Sequence, residues 1–254
     1  GLLSSHGGAD FTALAHALDD LGYRVGALEI DAALFTPHSR PRLFVIAARR
    51  APAHLIASGP SAPFHTPALR AVVARMPENL RKHFVWWRLD APPIRNTRLI
   101  DLIDDANTSW DAPEKTAKLL AQMSPLQRAR VDALRETGAR HVGAVFRRIR
   151  VEQGKRVQRA EARFDGLAGC LRTPAGGSSR QILLFVDGES VRSRLLSPRE
   201  AARLMGAPDH YPLPEGQTAA LHLFGDGVCV PVVRWLSQNL LAPLAGEAAP
   251  RKSA

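Results

Sequence analysis

Residues 42–48 read Arg42-Leu43-Phe44-Val45-Ile46-Ala47-Ala48. A short, nearly continuous apolar run of this kind predicts a strand buried on both faces. Just upstream, Thr36-Pro37-His38-Ser39-Arg40-Pro41 has turn character, and Tyr23 to Ala33 reads as another strand. Before that, Phe11, Leu14, Ala15, Leu18 and Leu21 recur at helical spacing within Gly8 to Leu21, and Gly22 stops the helix. Helix, strand, loop and strand predict a piece of an α/β sheet, too small to be a complete sheet domain.

Working outward, Arg50 to about Pro67 is rich in Ala, Pro, Ser and His and predicts a boundary. Leu69–Lys82, Pro113–Met123 and Pro125–Thr137 read as helices, the last with Ser124 as cap and Pro125 in the first turn. Leu99–Asp105 reads as a short helix or turn. Val142–Val151 and Arg156–Phe164 form a predicted hairpin about Gln153-Gly154-Lys155. A second hairpin pairs Ile182–Val186 with Ser190–Leu195. Ser197-Pro198-Arg199-Glu200 is a capping box, so a helix starts there. Gly225-Asp226-Gly227 reads as a turn feeding a helix through Val232, Trp235, Leu236 and Leu240. Trp86, Trp87 and Trp110 are expected in cores or interfaces rather than as stacking platforms.

Composition narrows the function. The chain has 254 residues, 45% hydrophobic and 23% charged, with a mean hydropathy of −0.13. These values describe a soluble globular protein. No run of eighteen or more apolar residues occurs, which argues against a membrane-spanning helix and against a membrane partner. Gly1 to His6 lacks the pattern of a signal peptide. Cys170 and Cys229 are the only cysteines, so neither a disulfide scaffold nor a four-cysteine zinc site is expected. No metal site is predicted, and the cytoplasm is the expected location.

The formal charge is +10 and the isoelectric point about 10.7, which favours a polyanionic partner. From Arg140 to Arg180 there are ten basic residues: Arg140, Arg147, Arg148, Arg150, Lys155, Arg156, Arg159, Arg163, Arg172 and Arg180. Only Glu152, Glu161 and Asp165 oppose them. Most of the net charge therefore lies in one segment, mostly as Arg, which binds phosphate and guanine edges bidentately.

Three segments carry a resemblance. Pro37-His38-Ser39-Arg40-Pro41-Arg42-Leu43-Phe44 is similar to motif VIII of the DNA cytosine-5 methyltransferases, Gln-x-Arg-x-Arg before an apolar strand. Arg194 to Pro208, with Arg194-Leu195-Leu196-Ser197-Pro198-Arg199-Glu200, resembles motif IX. Gly225-Asp226-Gly227-Val228-Cys229-Val230-Pro231-Val232 resembles motif X. Gly1-Leu2-Leu3 resembles the stretch just after that family's Glu-Asn-Val. Family order and the basic segment between motifs VIII and IX add weight that no single short motif carries.

The resemblance implies the C-terminal half of a bacterial or phage-type restriction–modification methyltransferase. Its fold would be α/β: the C-terminal part of a Rossmann-like catalytic sheet, plus a small mixed α+β target-recognition domain. Residues 1–50 would belong to the catalytic domain, 51–195 to target recognition, 196–244 to a return to the catalytic domain, and 245–254 to a disordered tail. The family's Phe-x-Gly-x-Gly and Pro-Cys are absent. The chemistry needs a thiolate that attacks carbon 6 of cytosine and an acid at the ring nitrogen. The chain is therefore expected to be inactive alone, either as a subunit that works with a separate chain carrying the N-terminal motifs or as a fragment. A DNA-binding module without catalysis and an inert remnant remain as alternatives.

The same resemblance assigns roles. Arg42 would hydrogen-bond the carbonyl oxygen of a flipped cytosine, and Arg40 would hold the catalytic loop or a phosphate. Asp226, Gly227 and Val228 would lie beside S-adenosyl-L-methionine, with Gly225 and Gly227 allowing close approach. Arg194 and Glu200 would be structural. Double-stranded DNA is the expected partner. The loop from Cys170 to Gln181 would read bases through Arg172, Ser178, Ser179, Arg180 and Gln181, with Gly176 and Gly177 easing approach. Arg147, Arg148, Arg150, Lys155, Arg156 and Arg159 would track phosphates.

Overall fold

The computed structural model describes residues 1–173 and 180–246. The chain forms two compact units, one of Gly1–Leu34, Pro41–Ile94 and the stretch from Val232, the other of Phe35–Arg40 and Arg95–Pro231. The chain passes between them at Leu34/Phe35, Arg40/Pro41, Ile94/Arg95 and Pro231/Val232, away from the boundaries expected near residues 50 and 195. Residues 51–94 join the first unit because their helical side chains share a core with the opening helix. That sharing is a matter of packing, which local composition does not encode.

In the first unit, α1 (Ala9–Asp20) leads to β1 (Arg24–Asp31), which pairs antiparallel with β2 (Pro41–Ala48) so that Leu28 faces Phe44. Phe11, Ala15, Val25, Ala27, Leu69, Val72 and Leu80 form the core. Gly26 is required by close approach: a Cβ there would collide with the Val85 carbonyl oxygen and the Trp87 indole. The strand buried on both faces is β1, not β2. β2 is an edge of a two-stranded sheet and only its Ile46 is buried. The helix expected over Leu69–Lys82 is two helices, α2 (Pro67–Ala74) and α3 (Glu78–His83), because Pro77 stands between them as the cap of the second. Thr66 caps α2, its hydroxyl accepting from the Leu69 amide at 3.3 Å.

The second unit holds α4 (Pro113–Ala121), α5 (Pro125–Glu136), β3 (Arg140–Glu152), β4 (Lys155–Arg163), β5 (Ile182–Asp187) and β6 (Ser190–Leu195). It continues with α6 (Pro198–Leu204) and α7 (Gln217–Asp226), and α8 (Val230–Leu236) begins at its end. The strands form one antiparallel sheet in the order β4-β3-β5-β6. One face packs Val145, Ala160, Ile182 and Leu184 under Leu119 of α4, Val131 of α5 and Met123 between them. The other packs Val142, Ala144, Leu183 and Phe185 against Ala201, Leu204 and Phe224 of α6 and α7. β5 pairs with β3 only from Arg140 to Val145. Beyond that point β3 and β4 continue as a two-stranded ribbon, closed by Gln153 and Gly154 at φ +48° and +75°.

Gln217–Ala245 is long and apolar enough, by length and composition, to cross a membrane. In the fold this stretch is interrupted at Gly227–Cys229, and its Ala220, Phe224, Val232, Leu236 and Leu240 are buried.

A buried ion pair locks the second unit. Arg194 on β6 and Glu200 on α6 are each 1% exposed. The guanidinium donates to Glu200 Oε2 at 2.8 Å and Oε1 at 2.6 Å. The same carboxylate accepts from the Ser197 amide at 2.8 Å and the Asp104 amide at 2.9 Å. Ser197 Oγ accepts in turn from the Glu200 amide, which completes the capping box read from the sequence. Burial pushes the Glu200 carboxyl up, but the bonds from Arg194, Ser197 and Asp104 outweigh it and hold it below the usual carboxylate range. Removing either partner leaves an unpaired buried charge, a cost of about 3–5 kcal/mol. Urea denaturation should show such a loss for both Glu200→Ala and Arg194→Ala. Because the folded pKa is depressed, the stabilisation is present above the ordinary value of 4.5 and is lost as pH falls through the folded value. Glu200→Gln should therefore flatten the acid limb of the stability profile.

Candidate functional site

The turn at residues 35–40 lies within the second unit, alongside residues 168–171. Ala168 N–H donates to the Pro37 carbonyl at 2.8 Å and Ser39 N–H to the Ala168 carbonyl at 3.0 Å. His38 is fully buried, and its Nε2 accepts from the Leu171 amide at 3.0 Å. Beside it, Arg40 is 2% exposed and donates to three carbonyls: Leu171 at 2.6 Å, Gly225 at 2.6 Å and Gly227 at 2.9 Å. Arg40 thus joins the turn, the start of the loop after Gly169 and the C-terminal end of α7. These described contacts are with backbone, where the sequence assigned Arg40 a catalytic loop or a phosphate. Its partner in that assignment, Arg42, belongs to the first unit, is exposed at the start of β2 and donates to the Pro41 carbonyl at 2.9 Å.

Gly225 and Asp226 are the last residues of α7, not a turn ahead of a helix; the break lies at Gly227–Cys229. The small side chain at 225 admits protein backbone. A Cβ there would meet the Thr173 amide nitrogen at 2.5 Å and the Arg172 carbonyl carbon at 2.8 Å. Asp226 accepts from the Thr173 hydroxyl at 2.7 Å. Gly227 N–H donates to Leu223 and its carbonyl accepts from Arg40. Val228 is 49% exposed. Asp226 thus ends α7 at the surface, and Gly227 and Val228 begin the break that follows it.

The chain is held on either side of residues 174–179, at Thr173 and at Arg180. Arg172 is exposed. Arg180 donates to the Thr218 hydroxyl at 3.0 Å. Gln181, expected to read bases, is turned inward. Its Nε2 donates to the Val145 carbonyl at 2.9 Å and its Oε1 accepts from the Gly169 amide at 3.2 Å. That amide therefore ties β3 to the loop at Gly169. Gly176, Gly177, Ser178 and Ser179 lie outside the described residues.

The arginines of the ribbon divide by face. Arg150 and Arg148 pair with Glu161, the latter at 3.6 Å, and Arg159 pairs with Glu152. The hydrogen bond from Arg159 holds the Glu152 carboxyl below its usual range. Arg147 instead lines a cleft of about 640 Å³ beneath α4. Its wall includes Lys115, Lys118, Gln122, Gln158, Arg180 and Thr218, over a floor of Leu119, Ile182 and Leu195. The charge count singled out Arg147 and Arg180 but missed the two lysines of α4. Their signal was the i,i+3 spacing of Lys115 and Lys118 beside the buried Thr116 and Leu119. Among the described residues no group of His, Cys, Asp or Glu is placed to hold a metal ion.

The sequence matches the C-5 cytosine-specific DNA methylase family over residues 1–242. The chain belongs to this family. It is 38% identical over 65 residues to the type II methyltransferase M.NlaX of Neisseria lactamica, covering 26% of this chain and 20% of that protein. It is 33% identical over 95 residues to the type II methyltransferase M.HpaII of Haemophilus parainfluenzae, covering 32% of this chain and 26% of the relative. M1.ScrFI of Lactococcus lactis subsp. cremoris, also a type II methyltransferase, is 33% identical over 61 residues, or 24% of this chain and 16% of its own length. The chain therefore spans about a fifth of the length of the curated relatives it matches.

Hydrogen bonds to a charged donor are worth about 1.5–3 kcal/mol each. Arg40→Lys keeps the charge but lacks the fork that reaches three carbonyls. Hydrogen exchange at the Leu171 and Gly227 amides should accelerate by about tenfold or more in this variant, while amides of β1 stay unchanged.

Proposed function

We propose that this chain is the C-terminal portion of a DNA cytosine-5 methyltransferase, supplying target recognition and part of the cytosine and cofactor pocket. The observation that carries the reading is the convergence on Arg40. One side chain ties the motif VIII-like turn, the start of the recognition loop and the motif X-like turn together. In such an enzyme, a base-reading loop and a cofactor edge must keep a fixed relation to the target base. On this reading the first unit supplies the C-terminal elements of a Rossmann-like catalytic sheet, and the antiparallel sheet of the second unit is the body of the recognition domain.

Arg42 stands at the target cytosine, where a fixed cation favours the electron-rich covalent intermediate. Arg40 positions the backbone at Leu171, Gly225 and Gly227. Asp226 and Val228 border S-adenosyl-L-methionine, which supplies the methyl group when bound. Arg172, Ser178, Ser179 and Arg180 read bases, and Arg147 and Arg156 meet phosphates. The nucleophilic thiolate comes from a Pro-Cys motif outside these 254 residues. Both cysteines here are otherwise placed: Cys229 is buried and Cys170 lies beside Arg40. The relatives' type II designation favours a restriction–modification setting.

Tritium transfer from labelled cofactor to duplex DNA tests the reading. The purified chain alone should transfer no label. Label should appear when a chain carrying Phe-x-Gly-x-Gly, Pro-Cys and Glu-Asn-Val is added, and Arg42→Ala should then lower the rate by about 10²-fold or more. Transfer by the chain alone would refute the division of labour. Salt-dependent DNA binding with no complementation by such a partner would favour a non-catalytic DNA-binding module.

A further inference from the structure

The register of β3 and β4 sorts the ribbon's side chains onto two faces. Arg147, Ile149 and Val151 stand opposite Ala160, Gln158 and Arg156, so these six share one face. Arg148, Arg150 and Glu152 stand opposite Arg159, Val157 and Lys155 on the other, which also carries Glu161 opposite Phe146. Both carboxylates of the ribbon are therefore on the second face, and both are engaged by its arginines. The first face carries no carboxylate from either strand. It carries exposed apolar side chains instead, Ile149 at 58% and Val151 at 72%.

The first face is continuous with the cleft under α4, because Arg147 and Gln158 line both. Four cations, Lys115, Lys118, Arg147 and Arg180, stand in that cleft against the single carboxylate of Asp111. Asp111 is itself engaged by Lys115 and by the Ser193 hydroxyl. The apolar floor lowers the local dielectric and strengthens attraction for an anion. Gln122 and Gln158 bring amides to the same wall, Gln122 Nε2 donating to Gln158 Oε1 at 3.3 Å. A two-stranded ribbon is narrow enough to enter a major groove, where deoxyribose and thymine methyls offer apolar partners to Ile149 and Val151.

We propose that duplex DNA lies against the Arg147–Arg156 face of the ribbon and the adjoining cleft, with strand phosphates on Lys118, Arg147 and Arg156, while Arg148 and Arg150 on the opposite face take no part. The assignment rests on the methyltransferase reading and narrows it. Of the arginines in the basic segment, it selects by face which ones meet DNA, and it adds α4 to the interface.

Fluorescence anisotropy of the full chain with a duplex oligonucleotide across a salt series tests it. Each lost phosphate contact lowers the slope of log K against log salt by about 0.9. Lys118→Gln, Arg147→Gln and Arg156→Gln should each show that drop and weaken binding several-fold on any sequence. Arg148→Gln and Arg150→Gln should leave the slope unchanged. An equal drop in the second set, or no drop in the first, overturns the face assignment while leaving DNA binding intact. The mononucleotide dCMP should fail to compete at millimolar concentration. Lys118-dependent capture of dCMP with no effect on duplex binding would make the cleft a small-anion site and overturn its role in strand binding. A wild-type chain that shows no salt-dependent duplex binding would refute the DNA reading itself.

Discussion

The pairing of Arg194 with Glu200 is the constraint on which the second unit depends. Two ionised groups at 1% exposure carry a large desolvation cost. It is offset only because the carboxylate collects four donors: both guanidinium nitrogens and the amides of Ser197 and Asp104. Those donors come from a strand, a helix cap and a loop ninety residues upstream. Phe185 lies under the guanidinium at 4.9 Å, so the pair also bears on the sheet. The β5–β6 hairpin, α6 and the 104 loop therefore cannot be arranged independently of one another. The face of the sheet that packs on α6 and α7 inherits that fixity.

The arginines of this chain do different work according to what surrounds them. Arg194 and Arg40 are buried and act as multidentate struts, a use that suits a planar fork with several donors. Arg150 and Arg159 are neutralised at the surface by neighbouring carboxylates, and such pairs contribute little stability. A net charge of +10 thus overstates how much positive charge is available to a partner, and overstates it unevenly across the surface. Pairing across a ribbon, and not proximity in sequence, decides that Arg150 and Arg159 are neutralised.

Much of this was legible in the sequence. The Ser197–Glu200 box, the Ser124-Pro125 start and the Gln153-Gly154 turn are each set by contacts within four residues, so local reading suffices for them. The misreadings share a cause. Residues 42–48 were apolar enough for a two-sided strand, yet β2 is an edge, because which strands flank it is decided by residues far away in the chain. Gly225-Asp226-Gly227 has turn composition, but its first two residues finish a helix whose C-terminal end abuts the Arg172–Thr173 backbone. Gln181 was expected to read bases because it is polar and follows a run of small residues, while its amide bonds Gly169 and Val145, partners that local sequence does not reveal. Of the proposed site, residue types and motif order were readable. The role of Arg40 was not, since three carbonyls from two distant segments define it.

Thr173 and Arg180, on either side of residues 174–179, are both tied to one short helix. Thr218, near the start of α7, holds Arg180, and Asp226, at its end, holds Thr173. Eight residues of helix separate these anchors by about 12 Å. α7 thus works as a bracket: it holds two points of the chain that lie seven residues apart in sequence, so any shift of this helix carries Thr173 and Arg180 with it.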